Sequence, residues 1–318
     1  MIERRNRWKN FFPRFSDSSN VRIFRARDWL RIRNEYDHII LCNWGSSNYI
    51  DVKHLASGGL IYDFFSPSMV EFTTGFGMEE QLATALEVKK KLVASASLRI
   101  ANGKLIAKYA SDWMAKTRID GGETVFPVTC GLEWTGDEAK KPIFLVGGYA
   151  QTWTRDLANG WLDRLAHRFP DAVFVRVGHR RHYHFGLINN QALDACEPNI
   201  VDYETLAYED YLRINRVAAG LIDISQDSSE RELSVSTRAV ASLSSGCPVV
   251  HNKNTWLGAS MTAAGMGTAL DVSAPNTEEQ LSDIVSMLIS ERGKVDVHSF
   301  WDQHLDPKRN ISDLVGAL

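Results

Sequence analysis

The sequence has little of what marks several whole classes of protein. Its 318 residues hold four cysteines, Cys42, Cys130, Cys196 and Cys247, which stand far apart with no CxxC pair, so neither a disulfide framework nor a zinc ribbon is encoded. No secretory signal pattern opens the chain, and a reducing cytoplasm is the expected setting. No apolar run approaches the ~20 residues that a bilayer crossing requires. The formal net charge is only -3, which argues against wrapping a polyanion, so nucleic acid is not expected as a partner. There is no GxGxxG fingerprint and no phosphate-loop lysine motif, which removes the usual dehydrogenase and kinase signatures. Internal repeats and low-complexity tracts are absent as well.

What is present is an ordinary globular composition, 44% hydrophobic and 24% charged, in a chain too long for one core, so two domains are expected. From Pro142 onward short β-branched runs alternate with helical patterns, as in a parallel sheet covered on both faces. The expected strands are 143–146, 173–177, 199–201, 221–224, 248–251 and 268–270. Earlier, strand-like segments 21–24, 38–42, 60–64 and 98–101 and helices 79–93 and 105–117 repeat the theme more loosely. Expected domains are residues 1–135 and 142–290, with 291–318 as a segment packing back on the first. The opening stretch 4–15 interleaves Arg4, Arg5, Arg7, Lys9 and Arg14 with Trp8, Phe11, Phe12 and Phe15. It reads either as a peripheral membrane contact or as a terminal arm packed on its own domain.

Ligands of open α/β sheets bind beyond the carboxyl ends of the strands, so residues just after each strand are the candidates. The richest stretch is Ser229 to Val250. Ser236 and Thr237 form a helix start, and Gly246 followed by Pro248 a helix stop. A helix start offers free N–H groups and partial positive charge to a diphosphate, and Arg238 in the first turn adds a charged fork. An ordinary crossover with a solvated arginine fits the same residues. After the first strand of this domain, Gly147 and Gly148 allow close approach of phosphate or sugar, with Trp153 and Arg155 following; a plain tight turn is the alternative. The basic loop from Gly178 to His184, with His179, reads either as lying near a nucleotide or phosphate or as a solvated loop. Its three histidines lack interleaved carboxylates or cysteines, so no metal is expected. Tyr203 reads either as a residue packed in the core or as one lying near the donor base. In the first domain, Asp63 and Glu71 are acids able to orient or deprotonate an acceptor hydroxyl, or else a turn cap and a surface helix residue; Trp44, Gly45 and Ser46 follow another strand, on the acceptor side or in a plain turn.

Three of these segments carry a resemblance. Gly246-Cys-Pro-Val-Val250 resembles the "G-x-P-V-V" end of the donor-site helix in retaining glycosyltransferases of family four. Glu230 to Arg238 is similar to the "E-T-R-x-S-x-R-T-R" stretch of a bacterial subgroup. Ile143 to Asp156 resembles that subgroup's strand and Gly-Gly loop, and Leu60 to Glu71 its "D-L-Y-D-P-x-x-x-E" loop. The motifs fall in the subgroup's order from about Ile39 to Asp271. The resemblance implies a GT-B fold, two Rossmann-like doubly wound domains facing each other across a cleft. It implies retaining transfer from a nucleoside diphosphate sugar to a glycan, lipid-linked or small-molecule acceptor, in bacterial polysaccharide, glycolipid or glycoconjugate synthesis; since arginine and backbone amides suit the charge on the leaving group, no metal or other cofactor is expected. It makes Glu230 the acid facing the donor sugar, with Glu232 the fallback. Ala241 stands in place of the family's second acid, and the family's first strand with its Gly-rich loop is not visible near Met1. A sugar-nucleotide epimerase and a non-catalytic subunit of the same fold are the rival readings.

Overall fold

A computed structural model of the chain describes residues 38–42, 59–64, 79–119, 125–128, 131–136, 138–146, 160–177, 197–203, 206–225 and 227–317. It divides into two compact units, Met1–Thr129 with Ile311–Leu318, and Cys130–Asn310.

In the first unit the described strands are β1 (Ile39–Cys42), β2 (Leu60–Phe64), β3 (Leu98–Ala101) and β4 (Phe126–Pro127), accompanied by helices α1 (Glu79–Ser95) and α2 (Lys104–Thr117). The strands pair in the order β1-β2-β3-β4, all parallel. Helix α2 turns Ile106, Ala107, Ala110 and Met114 inward, a helical spacing that makes one apolar face. Strand β4 had no counterpart in the sequence reading, because two residues ending in proline carry no alternating pattern.

The second unit is richer. Strands β5 (Lys141–Val146), β6 (Val173–Val177), β7 (Ile200–Tyr203), β8 (Ala218–Asp223), β9 (Val249–Asn252) and β10 (Ala269–Leu270) form one sheet. Its order is β10-β9-β8-β5-β6-β7 with every pair parallel. The chain starts in the middle, fills one side and then returns to fill the other. Strand order therefore reverses between β5 and β8, the arrangement of a doubly wound sheet.

The intervening helices are α3 (Trp161–Arg168), α4 (Tyr208–Val217), α5 (Ser229–Leu233), α6 (Thr237–Ser244), α7 (Trp256–Ala263), α8 (Thr277–Ser290), α9 (Val297–His304) and α10 (Pro307–Asn310), with α11 (Ser312–Ala317) closing the chain in the first unit. Strand alternation sorts them into two layers. Phe144, Val146, Phe174 and Ile222 pack with Leu165 of α3 and Val285 of α8 on one face. Leu145, Val175, Leu221 and Val249 pack with Leu243 of α6, Leu257 of α7 and Phe300 of α9 on the other. Helix α9 thus belongs to the second unit's core, while 311–318 goes with the first.

The segment 131–136 is fastened to this unit. Gly131 N donates to Leu305 O at 2.7 Å, Thr135 N to Ser244 O at 3.0 Å and Leu132 N to Ser244 Oγ at 2.9 Å. Gly136 lies backbone to backbone against Gly246. Gly246 itself has φ 69°, the left-handed conformation that ends α6, as the Gly-x-Pro pattern predicts. Among the described residues no helix is long and apolar enough to cross a membrane.

Candidate functional site

The reversal of strand order directs attention to the carboxyl ends of β5 and β8. Strand β8 is buried along its whole length. Six consecutive buried residues would normally be apolar, yet the last is Asp223, fully buried. Four neighbours converge on it. Arg231 of α5 donates to its backbone oxygen and brings Nη2 to 3.5 Å from Oδ2. Arg238 of α6 donates from Nη2 to Oδ1 at 3.1 Å. Ser236, the N-cap of α6, donates its hydroxyl proton to Oδ2 at 2.5 Å and accepts from Ala239 N at 3.3 Å. His251 is Asp223's register partner on β9 and holds Nε2 3.8 Å from Oδ2.

The charge states follow from this packing. Burial alone would raise the Asp223 carboxyl, but the Arg231 and Arg238 charges and the Ser236 hydrogen bond hold it well below the usual carboxylate range, so it is ionised. For His251, burial reinforced by the Arg231 charge outweighs the pull of Asp223 and lowers the imidazole to about 3, leaving it neutral. Among the described residues, two guanidiniums thus meet one carboxylate. The Nε atoms of Arg231 and Arg238, and Nε2 of His251, are buried without a hydrogen-bond partner among the described residues.

Further polar residues fix the strand ends. Asn252 receives Ser225 N at 3.0 Å and donates to Ser225 O at 2.7 Å and Asp227 Oδ1 at 3.2 Å. Asp227 in turn accepts from Ser273 Oγ at 2.6 Å. Thr255 caps α7, accepting from Gly258 N at 3.0 Å, and its Oγ1 lies 2.9 Å from His251 Nδ1. Behind α6, burial pushes the Tyr211 phenol up to about 12, and its oxygen lies 3.1 Å from Ser242 Oγ.

Of the residues singled out from sequence, Ser236 and Arg238 come together on Asp223. Thr237 is exposed beside them. Arg238 is therefore not a solvated cation: its side chain is about one third exposed, at 34%, and one nitrogen is committed to Asp223. Glu230 lies on α5 next to Arg231, and Glu232 on the same helix is exposed. Ala241 is buried in α6. Tyr203 ends β7 and is 41% exposed, so it is not a core residue. Asp63 is half-buried on β2, paired in register with Cys42 and Ile100. Trp44, Gly45, Ser46, Glu71, Gly147, Gly148, Trp153, Arg155 and His179 lie outside the described residues, as do the stretch 4–15 and the expected strand 21–24.

Sequence reasoning passed over Asp223, Arg231 and His251. A faint signal was available for the first: an acid closing an otherwise apolar strand, where a buried charge requires partners.

No family model and no curated protein matches the sequence. Solved structures do match its fold. One is an alpha-glucosyltransferase in complex with UDP and a 13-mer DNA containing an HMU base, at 14% identity over 93% of this chain and 84% of that one, with a TM-score of 0.61. Another is a mutant form of S. aureus TarM in complex with Fondaparinux, alpha-GlcNAc-glycerol and UDP, at 9% identity over 91% of this chain and 57% of that one, TM-score 0.59. A third is the pneumococcal O-GlcNAc transferase GtfA with UDP and GlcNAc, at 10% identity over 91% and 58%, TM-score 0.57. At such identities the likeness establishes the fold, two Rossmann-like domains of the GT-B type, as expected from sequence. It also corrects one expectation. Alpha-glucosyltransferases of this fold have been solved with DNA bound, so a modest net charge does not exclude nucleic acid. Net charge sums over the whole chain, whereas a polyanion meets one local surface.

Proposed function

We propose that the chain transfers a glycosyl group from a nucleoside diphosphate sugar to an acceptor hydroxyl. The observation that carries this reading is the Asp223 cluster. It lies at the carboxyl end of a central strand, beside the reversal of strand order, with two arginines against one carboxylate among the described residues. Such a site suits a diphosphate, and during reaction it would stabilise the charge that gathers on the departing nucleoside diphosphate as the glycosidic bond breaks. Guanidiniums supply that charge, so the proposal calls for no metal and expects activity to survive EDTA.

In this reading Arg238 faces the diphosphate with the Gly147-Gly148 loop, Glu230 contacts the donor sugar, and Asp63 and Glu71 orient the acceptor hydroxyl. The fold neighbours with UDP or UDP-glucose bound support a uridine donor as the first to try. Retention of anomeric configuration and a place in bacterial polysaccharide, glycolipid or glycoconjugate synthesis are the finer parts of the proposal, and follow from the family-four resemblance.

Thermal-shift screening against UDP-, GDP- and dTDP-sugars tests it. A donor at 100 times its dissociation constant stabilises the protein by about 2.7 kcal/mol. Silence across the whole panel would sink the reading. With a donor in hand, acceptors carrying free hydroxyls, including glycans and an oligonucleotide with an HMU base, are tried in turn, and the anomeric configuration of the product is read by NMR. Conversion of the donor sugar with no acceptor present would point to an isomerase instead.

A further inference from the structure

Arg231 and Arg238 arrive at Asp223 from two separate helices, α5 and α6. Each spends a terminal nitrogen on the carboxylate and leaves a buried Nε–H without an acceptor among the described residues. Buried donors left unpaired are costly, so an arrangement of this kind is complete only when an acceptor arrives. A neutral acceptor would leave one guanidinium charge unmet among the described residues; an anion meets both needs. The cap of α6 is already closed, since the Ser236 hydroxyl donates to Asp223 and receives Ala239 N. The arginines, rather than the cap hydroxyl, are then the groups left to receive the anion.

We propose that Asp223 is the positioning residue of this site, its carboxylate holding Arg231 and Arg238 as one preset receptor for the diphosphate of the donor, with Arg231 a second anion ligand beside Arg238. This rests on the reading of a nucleoside diphosphate donor. Asp223 suits the task because it cannot move. It ends a strand that is buried throughout and flanked by strands on both sides, its backbone oxygen also accepts from Arg231, and His251 backs it from the next strand. A long arginine loses rotamer freedom when it binds; a carboxylate that fixes the fork beforehand removes part of that cost from the binding step.

The sign of one measurement separates positioning from plain electrostatics. Asp223→Asn removes a negative charge from beside the anion, so Coulomb's law alone predicts tighter binding. Positioning predicts the opposite. Calorimetric titration of the full chain with UDP, GDP, dTDP and inorganic pyrophosphate is the experiment, with a melting curve to verify folding. The expected result is binding about tenfold weaker for folded Asp223→Asn than for wild type; equal or tighter binding overturns the proposal. Should Asp223→Asn fail to fold, Arg231→Lys decides, since it keeps the charge and loses the fork. A loss of about tenfold supports the proposal, and unchanged affinity overturns it. A wild type that binds pyrophosphate but no nucleoside diphosphate sinks the donor reading while the receptor is still judged, with pyrophosphate, by the same variants. A wild type that binds neither overturns both.

Discussion

Replacing Gly246 with alanine tests how the candidate site's helix is anchored. The residue has φ 69°, and a Cβ built on it would fall 2.8 Å from Gly136 Cα and 3.0 Å from its carbonyl carbon, with the carbonyl oxygen closer still. Two costs combine. The left-handed conformation costs an L-residue about 1 to 2 kcal/mol, and forcing an atom into packed backbone costs about 1 to 3 more. Gly265 supplies the control, because its φ is 68° with nothing within 4 Å of the added Cβ. Gly265→Ala should therefore show the conformational cost alone. With about 2 to 4 °C per kcal/mol for a unit of this size, Gly246→Ala should melt roughly 4 to 20 °C below wild type and Gly265→Ala roughly 2 to 8 °C below. The two should differ by several degrees in the same scan. Gly136→Ala probes the same contact from the other side without the left-handed cost, and its effect should fail to add to that of Gly246→Ala by about 0.5 kcal/mol or more, since the first substitution has already forced the backbones apart. Equal melting temperatures for Gly246→Ala and Gly265→Ala, or full additivity of the Gly136 and Gly246 variants, would refute the close approach of the two backbones.

Three further outcomes are expected. Arg176 makes a two-pronged pair with Asp202, at 2.5 Å and 2.8 Å, with side chains only 6% and 22% exposed, so Arg176→Met should cost about 3 to 5 kcal/mol in denaturant unfolding. A loss below about 1 kcal/mol, the range of an exposed pair, would contradict it. The Arg164–Glu278 pair is more than half exposed on both sides, and Arg164→Gln should change stability by less than about 1 kcal/mol. As for pH, His251 has a folded pKa lowered to about 3, so the unfolded chain takes up its proton first and stability falls as pH drops from about 6.5, by up to about 1.4 kcal/mol per unit from this group. Asp223, lowered as well, adds to the loss below about pH 4. Flat stability between pH 7 and 5, or a His251 imidazole titrating near neutrality by NMR, would count against the buried neutral assignment.

Much of the second unit was legible because parallel strands buried on both faces read as apolar runs, and β6 begins and ends where its run does. Helix α6 was legible for a different reason: its cap at Ser236 and its stop at Gly246 are local signals. The site was only half legible. Ser236 and Arg238 stood out by their place at a helix start, but what they hold on to did not. Asp223 meets His251 through strand register and Arg231 through a short helix, and neither relation can be read from residue spacing. Arg231 sat in a stretch that drew attention to its acidic neighbours instead. The expectation that a near-neutral chain has no business with nucleic acid failed because it treated an average as a surface.

A crevice made by reversing the order of strands belongs to the wiring of the chain rather than to any one loop. The segments that follow β5 and β8 in sequence are separated, among the described residues, by three strands and two helices, so each can lengthen, shorten or change its residues without disturbing the other. Only the apolar faces beneath must be kept, and many sequences meet that demand. Drift of this kind leaves a recognisable architecture with little shared text, which is how a chain can superimpose along nine tenths of its length on proteins with which it shares about one residue in seven.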